Sequence, residues 1–256
     1  MSAERSAHAR SPKDTFITVY GRRPVLEALD DERLRVDKVI LADDQRGESA
    51  RAVLAAARAR GVPVQRASAH RVKVLAGNGR HDQGVLADVV APRMAPVAEF
   101  LDGLRGPAAV LVLDGVTNPA NVGMLLRSAT AAGLDGVLLP RRGVPSIDPM
   151  VVKASAGVAF RAPVLRAATA AEGCAALLAA GFAVFGLDAG GASLLEAALP
   201  ERVALVLGGE TAGLSAPVRA ACTGLLAIPM DDGVESLNVA SAGAVAAFEL
   251  RRRRGS

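Results

Sequence analysis

The chain has 256 residues, 51% hydrophobic and 22% charged, which is the composition of a globular protein with room for one large domain or two modest ones. That balance excludes disorder as the default, and no uninterrupted apolar run approaches the roughly 18 residues of a membrane-spanning helix. The net charge of +4 is uneven: residues 1–107 carry 18 Lys and Arg against 14 Asp and Glu, and the remainder carries 12 of each, with four arginines at 251–254. A basic first part beside a neutral second part suits a polyanion-holding module joined to a separate reaction site, although a solvated surface with a tag-like basic end would give the same count.

Residues 1–14 are polar, mixed in charge and without the apolar core of a secretory signal, so they are expected to be disordered and the chain is read as cytoplasmic. Residues 15–90 read as a compact α/β unit, with a helix over 22–29 opened by Gly21, a strand over 36–42 and an alanine-rich helix over 48–60 closed by Gly61. A strand over 62–66, a short helix near 68–76 and a strand over 84–90 complete it. Residues 91–107 contain Pro92, Pro96, Gly103, Gly106 and Pro107 and read as a linker with one helical turn. Across 108–256, apolar runs at 108–113, 136–139, 182–187, 203–207 and 225–228 alternate with helical stretches, the signature of a largely parallel sheet covered on both faces. Ligands of such sheets lie outside the carboxyl ends of the strands, so the loops after these runs should carry function.

Cys174 and Cys222 stand in alanine-rich surroundings with no further ligand at metal spacing and read as buried thiols, with neither a metal site nor a disulfide. His8, His70 and His81 all fall in the first third, which leaves the remainder without the usual neutral-pH proton carrier. Three loops stand out. In the first, Asp114 to Gly123, Asn118 is placed to cap a helix with Pro119 in its first turn. Val122, Leu125, Leu126 and Ala129 form that helix's apolar stripe, Asn121 lies at its flank, and Arg127 points away toward solvent or substrate. The second, Gly208 to Gly213, lacks the glycine spacing of a dinucleotide fingerprint, and no Gly-Lys-Ser or Gly-Lys-Thr occurs, so a nicotinamide enzyme and a Walker-type nucleotide site are disfavoured. In the third, residues 228–238, Ser236 is placed to cap a final helix from 237 to about 250, apolar nearly all round and read as buried.

These three segments, in this order, resemble the three motifs of the SpoU (TrmH) family of SPOUT RNA 2′-O-ribose methyltransferases over roughly residues 110–250. The stretches 21–29 and His81-Asp82-Gln83-Gly84-Val85 resemble the ribosomal-protein-like substrate-binding domain fused to many members. The resemblance implies an α/β protein with a C-terminal trefoil-knotted parallel-sheet domain after a smaller N-terminal ribosomal-protein-like α/β domain. It implies S-adenosyl-L-methionine in the knot, held by the main chain of Gly208, Ile228 and Leu237, and a homodimer packed through the catalytic domain. The substrate it implies is RNA, with ribosomal RNA favoured over transfer RNA because of the fused first domain.

By the same resemblance Arg127 stands at the ribose 2′-hydroxyl with Asn121, Glu210, Ser236 and Asn238 around it. Arginine stays protonated, with a pKa above roughly 12, so orienting the hydroxyl and an adjacent phosphate is favoured over acting as a base. The proton would then pass to a phosphate oxygen, Glu210 or water. A structural role for Glu210, a transfer RNA ribose methyltransferase and a catalytically silent RNA-binding protein of the same fold are the competing readings.

Overall fold

The computed structural model describes residues 11–77 and 82–254. His8, His81 and residues 1–10 of the segment expected to be disordered lie outside the described residues.

The first domain contains β1 (Phe16–Tyr20), α1 (Arg22–Asp30), β2 (Val36–Ala42), α2 (Glu48–Ala59), β3 (Val64–Ala67), α3 (Ala69–Ala76) and β4 (Val85–Val90). Its sheet runs in the order β1-β4-β2-β3, with β4 antiparallel to both β1 and β2 and β3 parallel to β2. Gly21, at φ 90°, turns the chain from β1 into α1, whose Val25, Ala28 and Leu29 recur at helical spacing and are buried. β1 is absent from the sequence reading because only Ile17, Val19 and Tyr20 are buried, too short an alternation to register. Just before it, Pro12–Asp14 form a 3₁₀ turn, and the buried Asp14 accepts a hydrogen bond and ion pair from Arg141 of the second domain.

Part of the expected linker is structured. Ala95–Pro96 form a short strand, β5, and Val97–Gly103 form α4. The second domain continues with β6 (Ala108–Asp114), α5 (Pro119–Ala131), β7 (Gly136–Leu138), α6 (Pro149–Ala154), β8 (Val164–Arg166) and α7 (Ala170–Ala179). It ends with β9 (Ala183–Ser193), β10 (Arg202–Gly208), α8 (Ala216–Ala221), β11 (Gly224–Ala227) and α9 (Val239–Arg254). Its seven strands lie in the order β11-β9-β10-β6-β7-β8-β5, and every pairing is parallel. β5 therefore belongs to this sheet's edge.

Central β6 is buried at all seven positions, as expected of a strand covered on both faces. Its alternation sorts the core. Leu111 and Leu113, with Leu205 and Leu207 of β10, pack toward Leu125 and Leu126 of α5 and Ala246 and Leu250 of α9. Val110 and Val112, with Ala204 and Val206, pack toward Cys174 and Leu177 of α7 and Val218 of α8. Burial pushes the Cys174 thiol up to about 12, which leaves it an inert core side chain. Cys222 is only half-buried, short of the burial expected for it. No helix among the described residues is long and apolar enough to cross a membrane.

The final helix differs from its expectation in two ways. Val245 and Phe248 are exposed, so it is buried on one side instead of all round. It also continues to Arg254, and the arginine run is part of the fold: Arg253 donates to the carbonyls of Leu194 and Ala197, Arg252 and Arg253 both pair with the buried Glu249, and Arg254 pairs with Asp135 at 2.8 Å. Hydrogen bonds from Arg252 and then Arg253 hold the Glu249 carboxyl down at about 2, against an ordinary 4.5. Because the folded-state value lies below the unfolded one, this stabilisation is present above pH 4.5 and is lost as pH falls toward 2. Glu249→Gln should cost roughly 1–3 kcal/mol at neutral pH and flatten the fall in stability across that acidic window, as read by urea unfolding at a series of pH values. A wild-type slope retained in the variant would assign the acid sensitivity to other carboxylates.

Candidate active site

The three loops singled out in the sequence leave the carboxyl ends of β6, β10 and β11, on one edge of the parallel sheet. After β6, Gly115 at φ 71° bends the chain toward α5. There the Asn118 side chain accepts from Ala120 N–H at 2.9 Å and Pro119 occupies the first turn, as the sequence requires. After β10, Gly209 and Gly213 exchange backbone hydrogen bonds at 3.1 and 2.9 Å, closing residues 209–213 into a tight loop.

The first two loops touch backbone to backbone. A β-carbon on Gly209 would lie 2.3 Å from the Gly115 carbonyl oxygen, and one on Gly208 would lie 2.3 Å from the Gly213 carbonyl carbon. Asp114, buried at the end of β6, accepts from Ser215 N–H at 2.7 Å and ties the far side of the second loop to the first. These contacts make one rigid floor from segments about a hundred residues apart.

On that floor Asn121, Glu210 and Asn238 join in a chain of side chains. Asn121, only 4% exposed, donates its amide to Glu210, while its carbonyl oxygen accepts from the Asn238 amide at 3.3 Å. Asn238 also accepts from the Ala240 and Ser241 N–H groups at 2.9 and 3.4 Å, so the cap of α9 is Asn238 and not Ser236. The helix begins two residues later than the Ser236 reading allows, because Asn238 is the residue whose carbonyl oxygen reaches the helical amides. Ser236 is exposed and has no hydrogen bond among the described residues.

Arg127 lies six residues beyond Asn121 on α5, about 9 Å along the axis and about 120° around it, so it does not join this chain. It is exposed, and its side chain makes no hydrogen bond or ion pair among the described residues. Its guanidinium is available to a ligand.

Residues 108–248 match the SpoU rRNA methylase family, more than half of the chain. The chain belongs to the SpoU rRNA methylase family. Residues 18–95 match the RNA 2′-O ribose methyltransferase substrate-binding domain. The 23S rRNA (guanosine-2′-O-)-methyltransferase RlmB of Xanthomonas campestris pv. campestris is 36% identical over 241 residues, covering 92% of this chain and 96% of the relative. The RlmB enzyme of Ralstonia nicotianae is 36% identical over 238 residues, covering 92% and 95%. Among solved structures, the SpoU methyltransferase AviRb from Streptomyces viridochromogenes in complex with AdoMet is similar with a TM-score of 0.65 and 26% identity, covering 94% of this chain and 91% of AviRb. The protein is thus an S-adenosylmethionine-dependent RNA methyltransferase of the SpoU family with a fused substrate-binding domain.

The loop edge of this SpoU protein fits such a cofactor chemically. Residues 231–238 are all exposed, and within 229–237 the backbone bonds to itself only once, Val234 N–H to Asp231 at 3.2 Å. The remaining peptide groups of that loop are available to an adenine ring and an amino-acid carboxylate. Gly208 closes β10, the half-buried Ile228 follows β11, and Leu237 stands 40% exposed in the third loop. Asp114 is the functional-region residue absent from the sequence candidates. Its only signal is a carboxylate ending an otherwise apolar strand, and its partner, the Ser215 amide, lies 101 positions away.

Proposed function

We propose that the protein transfers a methyl group from S-adenosyl-L-methionine to a ribose 2′-hydroxyl of 23S ribosomal RNA. The observation that carries this reading is the hydrogen-bonded union of Asn121, Glu210 and Asn238, one residue from each of the three family motifs, with the unpaired Arg127 further along the same helix as Asn121. The similarity of nearly the whole chain to RlmB enzymes supports ribosomal over transfer RNA. When bound, S-adenosylmethionine supplies an electrophilic methyl on a sulfonium centre. Backbone groups of Gly208, Ile228 and Leu237 would hold it, at the place where the resemblance puts the trefoil knot.

In this reading Arg127 touches the substrate. Its planar fork holds the 2′-hydroxyl and an adjacent phosphate together, and positioning supplies much of the acceleration. Asn121 is a positioning residue, with its amide orientation determined from both sides by Glu210 and Asn238. The hydroxyl proton passes to a phosphate oxygen, to water or to Glu210, whose one oxygen accepts from Asn121 while the other stays open. Ser236, exposed on the third loop, lines the approach to this group. The homodimer belongs to the same reading, supported by the apolar side chains Met124 of α5 and Val245 and Phe248 of α9, each 39–49% exposed on two helices that pack together.

The test is transfer of labelled methyl from S-adenosylmethionine to unmodified 23S ribosomal RNA and to unmodified transfer RNA, followed by nuclease mapping of ribose methylation. Label confined to one ribose of 23S RNA is expected. Label on transfer RNA alone would move the substrate, and RNA binding without label would make the protein a silent binder.

A further inference from the structure

A cavity of about 880 Å³ lies between the two domains and shares no lining residue with the Asn121 group. One wall is α1 and the turn after it, and the other is α6 and the 3₁₀ turn Val158–Arg161. Among the charged side chains that line it, Arg23 pairs with Glu27 at 2.9 Å and Arg33 with Asp31 at 2.8 Å, so four charges cancel. Arg35, Lys153 and Arg161 are different: all three are exposed, and their side chains have no hydrogen bond or ion pair among the described residues. Three cations without side-chain partners, contributed by two domains, therefore line a single cleft and give it a net positive charge suited to a polyanion.

The cleft's position gives the polyanion a destination. α6 packs on α5 at Gly123, where a β-carbon would meet Ala154 and the Val151 carbonyl oxygen at 2.6 Å. Arg127 is four residues beyond Gly123, one helical turn along the same side of α5. The turn that carries Arg161 packs against α5 as well. Arg127 therefore rises on the side of its helix nearest the cleft.

We propose that this interdomain cleft holds the sugar–phosphate backbone of the RNA, with Arg35, Lys153 and Arg161 each against a phosphate, and leads the strand to Arg127. This rests on the proposed RNA methyltransferase function and adds to it a second contact region, shared between the domains. A nucleic acid suits the cleft because Arg35 stands on one wall and Lys153 and Arg161 on the other, and an RNA strand carries a negative charge at every phosphate.

The test uses the full chain and an unmodified 23S ribosomal RNA transcript, with Arg35→Gln, Lys153→Gln and Arg161→Gln made singly and together. Each phosphate contact contributes about 0.7–0.9 to the slope of log affinity against log salt, so the triple variant should lose roughly 2–3 of that slope. KM for RNA should rise about tenfold or more, while calorimetric affinity for S-adenosylmethionine and the single-turnover rate at saturating RNA stay within about threefold. An unchanged slope and KM would overturn the proposal. So would an equal loss of slope per residue from Arg105→Gln, since Arg105 does not line the cleft and such a loss would be a bulk-charge effect. If the wild-type chain methylates no ribose, the functional reading fails, and the salt slope still decides whether RNA occupies the cleft.

Discussion

Arg127→Lys is expected to lower single-turnover methyl transfer by about a hundredfold or more at saturating RNA and cofactor, with little change in melting temperature or S-adenosylmethionine affinity. The side chain is exposed and bonds to no described residue, so the fold does not depend on it. Lysine keeps the charge and the helix propensity, but its ammonium is a single point on a flexible stem. It cannot hold a hydroxyl and a phosphate in one plane, and a misplacement of about 1 Å at a reacting group can cost about a hundredfold. Measuring under saturation removes binding losses from the rate. A near-wild-type rate would return Arg127 to the surface and take away the centre of the mechanism. Pairing this variant with Asn121→Ala separates touching from positioning, because loss of Asn121 also leaves Glu210 and Asn238 without their shared partner and should lower the melting temperature.

Gly209→Ala should weaken S-adenosylmethionine binding at least tenfold and lower the melting temperature by roughly 2–12 °C. The new β-carbon would sit 2.3 Å from the Gly115 carbonyl oxygen, a backbone atom held by the end of β6, so a rotamer change cannot relieve the clash. Overpacking of this kind costs about 1–3 kcal/mol, and in a chain of this size each kcal/mol is worth roughly 2–4 °C. The larger effect is expected on the site, because separating the first two loops moves the floor beneath Gly208, which we propose holds the cofactor. Gly103→Ala is the control, since its added carbon meets nothing within 4 Å. Calorimetric titration of both variants reads the difference. Normal cofactor affinity in Gly209→Ala would show that the contact between these loops does not shape the cofactor's site.

Much of this protein is legible in its residues because the relevant physics is local. Helix α5 is announced by Asn118 and Pro119 at its start and by Val122, Leu125, Leu126 and Ala129 at helical spacing, each a choice made within one or two turns. The continuous apolar run of β6 announces a strand covered on both faces. Arg127 is exposed, as the wheel of α5 predicts.

What escaped local reading depends on partners far along the chain. β5 is two residues long and becomes a strand only because β8 lies beside it, and Ser236 and Asn238 are equally good caps until Asn121, 117 positions earlier, engages the Asn238 amide. The arginines at 251–254 resemble a solvated tail in one dimension. In three dimensions they pair with Glu249 and Asp135 and donate to the carbonyls of Leu194 and Ala197.

By itself, then, the sequence determined most of the helices and the central strands, the order of the three loops and the residue types they present, because capping, periodicity and turn chemistry act over a few residues. Only the tertiary structure decided that Glu210, Asn121 and Asn238 form one chain, that Asp114 ties two loops together and that Arg35 faces the same cavity as Lys153 and Arg161. Those juxtapositions come from packing two faces of a parallel sheet and docking a second domain against it, and such long-range closure leaves no periodic trace along the chain.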